Sequence, residues 1–402
     1  MSSRAKKEVY LDHAAATPLS PTVAAAMQPY WGTLYANPSS IHEAGVGVRQ
    51  AIENARATCA AVLGCTSQEI LFTSGGTEAN NLAIRGIVEA ARQVIPQPHL
   101  VVSCVEHPSV LEVARYLETT GVSVTYLPVH AEGTVSLHAL KQALRKETVL
   151  VSIMYANNEI GTIQPIKEIS QILRRFKKEF PTTYNLQPTT YPFFHSDACQ
   201  AAGALPLNIA SLGVDLMTCN GSKIYGPKGI GMLYKRAGAS MTKQLYGGEQ
   251  EANLRAGTEF VPGIVGIAAA LQEADTLRTA EASRLLELSQ FCIEEIKGRF
   301  GETCVLNGSS TDRLPNNINF SFPGIEGERL VLELDVHGIA VSSGSSCRTK
   351  DEVSHVVYAL DHTTARAKGA LRMSLGRATS KDDLDYVLSC LFALVPRLRE
   401  EI

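Results

Sequence analysis

The sequence predicts an α/β protein with a large domain, built on a mostly parallel seven-stranded sheet flanked by helices, and a smaller α+β domain. Short apolar runs of strand type alternate with amphipathic stretches of helical period through the first two-thirds of the chain, which is typical of a parallel sheet covered by helices. Beyond about residue 260 the pattern changes to long helical stretches and short strands. The 402 residues are 45% hydrophobic, which is enough to form both cores.

The predicted elements of the large domain alternate along the chain. Strand-type runs lie at residues 70–73, 100–104, 123–127, 149–154, 193–196, 216–218 and 231–234. Helical patterns lie at residues 41–63, 77–94, 109–119, 137–146 and 166–180. Ligands of such sheets gather beyond the carboxyl ends of the strands, so we expect the functional site at that edge.

The last third of the chain predicts the second domain. Helical patterns at 262–277 and 283–300 are followed by strands at 317–322 and 371–375 and by a closing helix at 381–399. The first of these helices opens with Pro262, a residue that a helix tolerates in its first turn. We predict that residues 16–262 form the large, cofactor-binding domain and that residues 1–15 and 263–402 form the small one. Residues 181–192, rich in Thr, Tyr and Pro, predict an exposed loop.

Composition argues against several classes of function. The formal net charge of -3, without a long block of one sign, offers no basic surface to nucleic acid. No apolar run reaches the roughly 18 to 20 residues that span a bilayer, and the first residues lack the apolar core of a signal peptide. Nine cysteines without a CxxC pair argue against a disulfide framework and a structural zinc site. We expect a cytoplasmic enzyme with no metal, no nucleic-acid partner and no membrane partner.

Two short segments contain the candidate chemistry. Residues 220–229 place Lys223 in a glycine-rich turn, where a lysine can hold an aldehyde cofactor as an imine. Residues 341–347 place Cys347 among serines and glycine, where a thiol can swing to attack an atom that the cofactor activates. Taken alone, each is more often a solvated lysine or an ordinary loop. The interpretation therefore depends on the segments upstream.

Four strand ends upstream offer cofactor contacts. Residues 72–80 run through a small-residue turn into a helix, which can hold a phosphate group, and an ordinary turn is the alternative. Asp197 can pair with a pyridinium nitrogen and Gln200 with the phenolic oxygen of the ring, whereas a capping aspartate is the alternative. His107 can stack on a flat ring and move protons, although a lone histidine more often bonds nearby backbone. Asn157 can reach the substrate or the ring oxygen.

With these motifs in this order, the chain resembles the cysteine desulfurases that supply sulfur for iron-sulfur cluster assembly, within the class V aminotransferase, fold-type I superfamily of pyridoxal-phosphate enzymes. The resemblance runs from residues 10–18 (YLDHAAATP) to residues 371–377 (LRMSLGR). It implies pyridoxal 5'-phosphate as the cofactor and L-cysteine as the substrate. It implies alanine and a persulfide on Cys347 as the products, with the sulfur passing to an acceptor protein that is not identified.

The resemblance also implies roles for the site residues. The implied cofactor contacts are Lys223 as the Schiff-base lysine, Asp197 at the ring nitrogen, Gln200 and Asn157 at the ring oxygen, His107 stacked on the ring, and Gly76, Thr77 and Thr258 at the phosphate. Thr258 comes from the other subunit in the family, which implies a homodimer. Arg372 is implied to bind the substrate carboxylate, a task that suits a planar guanidinium. Lys223 is the expected base for the Cα proton, and Arg348 or His107 can lower the pKa of the Cys347 thiol.

The chain departs from the family pattern at four places. Ser222 stands where a phosphate-binding histidine is usual, and Asn220 replaces a serine. Because serine still donates a hydrogen bond to phosphate, we expect altered cofactor affinity and retained function. Cys199 stands where threonine or alanine is usual and places a second thiol near the ring, and residues 181–192 are an insertion.

Other functions share much of this pattern. A selenocysteine lyase would use the same residues, and another class V aminotransferase-type enzyme would use the same ring chemistry without needing Cys347. A non-catalytic scaffold protein that keeps the fold is a further alternative, although every ring-contacting residue type is present.

Overall fold

The computed structural model describes residues 7–180, 191–344 and 353–401. Its strands, in chain order, are β1 (Val9–Tyr10), β2 (Ile70–Thr73), β3 (His99–Ser103), β4 (Ser123–Leu127), β5 (Thr148–Ser152), β6 (Phe193–Asp197), β7 (Leu216–Asn220), β8 (Gly231–Lys235), β9 (Val305–Leu306), β10 (Asn317–Ser321), β11 (Ile339–Ala340) and β12 (Ala370–Ser374). Its helices are α1 (Pro21–Met27), α2 (Glu43–Leu63), α3 (Gly76–Ala91), α4 (Pro108–Thr119), α5 (Leu137–Ala143), α6 (Ile166–Glu179), α7 (Ile209–Leu212), α8 (Gln250–Asn253), α9 (Val261–Phe300), α10 (Gly327–Val336), α11 (His355–Asp361), α12 (Thr364–Lys368) and α13 (Lys381–Glu400).

Seven strands form the large sheet, in the order β2-β8-β7-β6-β5-β3-β4. Strand β8 runs antiparallel to both of its neighbours, and the other adjacent strands run parallel. This confirms the predicted α/β class and the mostly parallel seven-stranded sheet. Each of these strands begins and ends within two residues of its predicted range.

Apolar residues on both faces of the sheet explain why these runs form central strands. Every residue of β3, β5 and β6 is buried. Successive side chains point to opposite faces, so that Leu150 packs in the core with α3 and α4 while Val151 packs in the core shared with α2 and α9. The polar residue His99 is buried in β3 because its ring nitrogens bond the hydroxyls of Thr125 and Thr148, each at 2.9 Å.

A second sheet lies in the last third of the chain. Its order is β12-β10-β9, and both pairs are antiparallel. The end of α9 and helix α13 cover it, with Phe300, Phe320 and Leu391 in the shared core. Near the start of the chain, β1 pairs in parallel with β11, and Val9 and Leu11 enter the same core. The domain boundaries themselves stay a prediction.

Helix α9 corrects one sequence-based expectation. The patterns at 262–277 and 283–300 predict two helices, whereas the structure has one continuous helix of 40 residues. The intervening residues 278–282 contain neither glycine nor proline, so nothing ends the helix there. Buried positions stop at Ala274 and resume at Leu285 because the helix leaves the core of the large sheet and then enters the core of the small one.

In the described parts of the chain, no helix is long and apolar enough to cross a membrane. Most of the predicted loop at 181–192 lies outside the described residues.

Candidate active site

A cavity of about 190 Å³ lies at the carboxyl ends of the parallel strands. Eight of the predicted site residues line it, namely Gly76, Thr77, His107, Asp197, Gln200, Asn220, Lys223 and Arg372. They come from the turns after β2, β3, β6 and β7 and from strand β12 of the small sheet. The two sheets therefore contribute to one site, at the edge where the sequence predicts it.

Lys223 sits in a tight turn that the sequence closes immediately after β7. The Asn220 side-chain oxygen accepts the amide N–H of Ser222 at 3.1 Å and so caps the turn of residues 221–223. A Cβ at Gly221 would lie 2.7 Å from the carbonyl oxygen of Pro227, so only glycine fits there. The turn directs the Lys223 ammonium to the cavity, where it donates to the Ala15 carbonyl oxygen.

A chain of buried hydrogen bonds joins Asp197 to His107. The Asn80 side-chain amide donates to Asp197 Oδ2 at 2.7 Å and to Ser109 Oγ at 2.8 Å. Ser109 in turn donates to His107 Nδ1 through its hydroxyl at 2.8 Å and its amide at 3.1 Å. His107 Nδ1 is therefore an acceptor, and the ring proton is on Nε2. Burial lowers the pKa of His107, which favours the neutral imidazole.

The Asp197 carboxylate is held from a second side by the amide N–H of Cys199, which donates to Oδ1 at 2.9 Å. Asn80 and Ser109 are functional residues that sequence reasoning missed. Asn80 lies one helical turn beyond Gly76 and Ser109 two residues beyond His107, so their positions place them near the site. The spacing does not indicate which side chains they meet.

The start of α3 is suited to an anion. Gly75 precedes the helix without a side-chain cap, and the first-turn residues Gly76 and Thr77 line the cavity. Unpaired amides and the helix dipole favour a phosphate at such a place. A Cβ at Gly76 would lie 2.9 Å from Cys199 Sγ, so a side chain there would crowd the cavity wall.

Arg372 brings a buried positive charge to the cavity from strand β12. Its side chain is 2% exposed, and it donates to Asp12 Oδ1 at 2.6 Å and to the Asn158 carbonyl oxygen at 3.0 Å. Its Nε is buried without a hydrogen-bond partner. A guanidinium with donor capacity left over, at the wall of a cavity, suits a carboxylate ligand.

Three predicted residues lie elsewhere. Both amide atoms of Asn157 are engaged, because Nδ2 donates to Val105 and Oδ1 accepts from the next turn, and the residue does not line the cavity. Ser222 binds Thr17 through its carbonyl oxygen and is also outside the lining. Thr258 lines a separate cavity of about 210 Å³. Their assigned contacts stay predictions, and Cys347 and Arg348 lie outside the described residues.

The residues present fit a flat cofactor that carries a phosphate group and a ring nitrogen. The amide-rich helix start can take the phosphate, the fixed Asp197 carboxylate can pair with a protonated ring nitrogen, and Lys223 can bind an aldehyde carbon. In the parts of the chain that the structure describes, no group of three or more His, Cys, Asp or Glu side chains is arranged to hold a metal ion.

The chain is similar to known proteins along nearly all of its length. The family described as aminotransferase class-V matches residues 9–387. Cysteine desulfurase IscS of Dictyoglomus turgidum is 46% identical over 395 residues, which are 98% of this chain and 96% of that protein. A solved NifS-like protein superposes with a TM-score of 0.87 at 32% identity, covering 97% of this chain and 100% of that one. SspA in complex with cysteine superposes with a TM-score of 0.76 at 32% identity, covering 91% of this chain and 98% of that one.

Proposed function

The chain belongs to the class-V aminotransferase family and is a cysteine desulfurase, a pyridoxal-phosphate-dependent enzyme, and from this premise we propose which residues carry its reaction. Cys347 accepts the sulfur atom of L-cysteine, Lys223 binds the cofactor and moves the Cα proton, and Arg372 binds the substrate carboxylate. The observation that carries this proposal is the convergence of Lys223, Asp197 and Arg372 on one cavity, from strands of two different sheets.

Beside Lys223, four residues hold the cofactor in this proposal. Gly76 and Thr77 bind its phosphate through the start of α3, Asp197 holds a proton at its ring nitrogen, and His107 lies against the ring. When bound, pyridoxal phosphate supplies an electron-withdrawing ring that stabilises negative charge at the Cα atom of the amino acid. The bonds from Asn80 and from the Cys199 amide keep the Asp197 carboxylate oriented toward the ring.

The substrate is oriented from its carboxylate end. Arg372 lines the cavity with a guanidinium whose recorded contact with Asp12 is through a single carboxylate oxygen. A carboxylate bound there places its Cα atom toward Lys223, whose amine takes the Cα proton. The contact of Asn157 or Gln200 with the ring oxygen belongs to the same proposal, and Gln200 lines the cavity while donating to the Ala14 carbonyl oxygen.

In this proposal, sulfur transfer needs one thiol of the enzyme and no further reactant. The Cys347 thiolate attacks the sulfur of bound L-cysteine, a sulfur–sulfur bond forms, the Cβ–sulfur bond breaks, and protonation of the carbon fragment gives alanine. Cys199 is the described thiol that lines the cavity, and burial raises its pKa well above the ordinary value. Because the thiolate is the nucleophile, Cys199 is a poor candidate and Cys347 is favoured.

The acceptor of this sulfur is, in the proposal, a separate protein that serves iron-sulfur cluster assembly or thiolation. The relatives named IscS favour cluster assembly.

We also propose a homodimer in which Thr258 completes the phosphate site of the partner subunit. Thr258 does not line the cavity that contains Lys223. The chain also exposes large apolar side chains, among them Tyr35 (82% exposed), Ile41 (94%) and Tyr246 (75%). Mixing inactive Lys223→Ala and Thr258→Ala subunits tests this arrangement, because only a shared site regains activity in the mixed dimer.

The decisive experiment is incubation with L-cysteine, followed by intact-mass analysis and peptide mapping. We expect the mass of one sulfur atom to be added at Cys347 and an equal amount of alanine to form. A Cys347→Ser protein that still releases sulfur would overturn the proposal. Comparison of rates on cysteine and selenocysteine separates desulfurase from lyase, and failure of borohydride to fix the cofactor on Lys223 would favour a non-catalytic scaffold.

A further inference from the structure

Two consecutive residues, Ser354 and His355, attach the chain downstream of Cys347 to the turns of the active site. Ser354 Oγ donates to Glu159 Oε2 at 2.6 Å, and both residues are buried. His355 Nε2 donates to the backbone carbonyl oxygen of Glu106 at 3.1 Å, since a carbonyl can only accept. Glu106 immediately precedes His107, and Glu159 lies two residues beyond Asn157. Both attachment points therefore belong to strand ends that form the site.

The turn that contains Glu159 is itself fixed from two directions. Asn157 Oδ1 accepts the Glu159 amide at 2.8 Å, and Asn157 Nδ2 donates to the Val105 carbonyl oxygen at 2.9 Å, which ties the two turns together. The Glu159 carbonyl oxygen accepts the side-chain amides of Asn317 at 3.1 Å and Asn319 at 2.9 Å from strand β10. A residue that bonds this turn is therefore held in position relative to both sheets.

Apolar packing supports the same attachment. Helix α11 begins at His355, and the Ser354 side chain caps it by accepting the Val357 amide at 3.0 Å. Three apolar residues of α11 form a buried cluster with Val105 and Ile160, which belong to the two turns. The hydroxyl of Ser354 thus uses its donor for the site and its acceptor for the helix.

The chain upstream of Cys347 is attached to the site as well. Ser342 and Arg372 exchange two backbone hydrogen bonds, with Ser342 N–H donating at 3.1 Å and Arg372 N–H donating at 2.6 Å. The described chain therefore approaches Cys347 from beside Arg372 and continues after it at Ser354 and His355. Arg372 lines the cavity, and Glu106 and Glu159 each adjoin a residue that lines it, His107 and Asn158.

We propose that Ser354 and His355 are positioning residues for sulfur transfer, whose bonds to Glu159 and Glu106 fix the downstream end of the segment that contains Cys347. The inference rests on the proposed role of Cys347. Loss of either bond broadens the range of positions open to the thiol and lowers the fraction of time it meets the substrate sulfur. A misplacement of about 1 Å can lower a rate about 100-fold. Ser354 and His355 do not line the cavity, so we expect the affinities for the cofactor and L-cysteine to stay close to those of the parent protein.

The test is a single-turnover measurement of persulfide formation on the cofactor-loaded enzyme, with quenched samples analysed by intact mass. We expect Ser354→Ala to lower the rate at least about tenfold, with KM for L-cysteine and the cofactor absorbance spectrum as in the parent protein. Ser354→Thr keeps the hydroxyl and restores the rate. His355→Phe lowers the rate as well, and His355→Gln, which keeps an N–H donor, recovers part of it.

Ser136→Ala is the matched control, because Ser354→Ala also removes a helix cap. Ser136 caps α5 by accepting the Ala139 amide at 3.2 Å, which is the same type of bond as the Ser354 cap of α11. Ser136 does not line the cavity. We expect Ser354→Ala to lose more stability than Ser136→Ala, because the buried Glu159 carboxylate also loses a donor, and we expect only Ser354→Ala to lose transfer rate.

Several outcomes overturn the inference. Parent-like rates in Ser354→Ala and His355→Phe would do so, as would a rate loss that merely follows a loss of bound cofactor or an equal loss in Ser136→Ala. Cys347→Ala separates the two levels of argument. Persulfide formation that survives in Cys347→Ala refutes the proposed function, whereas an inactive Cys347→Ala beside a fully active Ser354→Ala refutes the positioning role alone.

Discussion

Replacing Gly76 with alanine tests whether the first turn of α3 forms the phosphate end of the site. The added Cβ would lie 2.9 Å from Cys199 Sγ and 3.5 Å from Asn220 Cβ. The second distance is ordinary contact, but the first is roughly 0.6 to 1.1 Å shorter than the best separation of non-bonded heavy atoms. Either the Cys199 side chain turns or the start of the helix moves. Overpacking of this kind costs about 1 to 3 kcal/mol.

We expect this strain to appear as weaker cofactor binding, because Gly76 and Cys199 both line the cavity. A loss of about 1 to 3 kcal/mol corresponds to an increase of about 5-fold to 140-fold in the Kd of pyridoxal phosphate. Titration of the apoprotein with the cofactor, followed by absorbance, measures it. The double variant Gly76→Ala/Cys199→Ala removes the sulfur atom, and its Kd is expected to recover to within about threefold of the Kd of Cys199→Ala alone.

Gly47→Ala provides the control for this substitution. A Cβ at Gly47, on the exposed side of α2, meets nothing within 4 Å. We expect unchanged cofactor affinity and a gain in stability of up to about 1 kcal/mol, because alanine is the better helix former. Parent-like cofactor affinity in Gly76→Ala, or equal weakening in the single and double variants, would refute the reasoning.

Acid should destabilise the protein through His99 and His195, whose pKa values burial lowers to about 4. Between about pH 6.5 and pH 4 the unfolded chain binds more protons than the folded one, so the free energy of unfolding, measured with urea, falls as the pH falls. Arg313→Lys should cost about 2 to 4 kcal/mol in the same assay, because the buried guanidinium donates to the carbonyl oxygens of Ser309 and Ile160 and a lysine cannot match that fork. Arg372→Lys should raise KM for L-cysteine by about 10-fold to 100-fold in steady-state kinetics, with a smaller change in kcat.

Each of these expectations has a contradicting result. A urea midpoint that stays constant between about pH 6.5 and pH 4 would contradict the histidine argument. Arg313→Lys with the stability of the parent protein would show that its bonds are replaced by water. An unchanged KM in Arg372→Lys would remove Arg372 from the carboxylate site.

The strands could be predicted from sequence because a strand that is buried on both faces is a short, nearly continuous apolar run. Strands β3 and β5 are apolar runs flanked by polar residues, and their ends are fixed to within two residues. The continuity of α9 could not be predicted in the same way. None of its residues 278–282 is buried, and they interrupt the apolar period because the surface that the helix packs against changes there, although the helix continues. The apolar period of a helix depends on the surface against which the helix packs. It therefore indicates the ends of the helix only when that surface stays the same along its length.

Some residues of the candidate site could likewise be predicted from local sequence, and others could not. Asp197, Lys223 and His107 could be predicted because each follows a parallel strand, and the carboxyl ends of such strands meet at one edge. Asn80 and Ser354 could not, because their role is defined by partners that are distant in sequence. Asn80 meets Asp197 across 117 positions, and Ser354 meets Glu159 across 195. A single sequence, taken alone, contains no signal for such pairs.

The same long-range pairs couple the site to the folding of the whole chain. Arg372 bonds Asp12 across 360 positions, and Lys223 bonds Ala15 across 208, so the cavity needs the start of the chain and both sheets at once. A cofactor that binds only this assembled cavity stabilises every element that builds it, by an amount that grows with the logarithm of its concentration over Kd. Loss of the Arg372–Asp12 pair, which joins the start of the chain to the small sheet, therefore weakens cofactor binding as far as it raises the population of chains in which this cavity is not assembled.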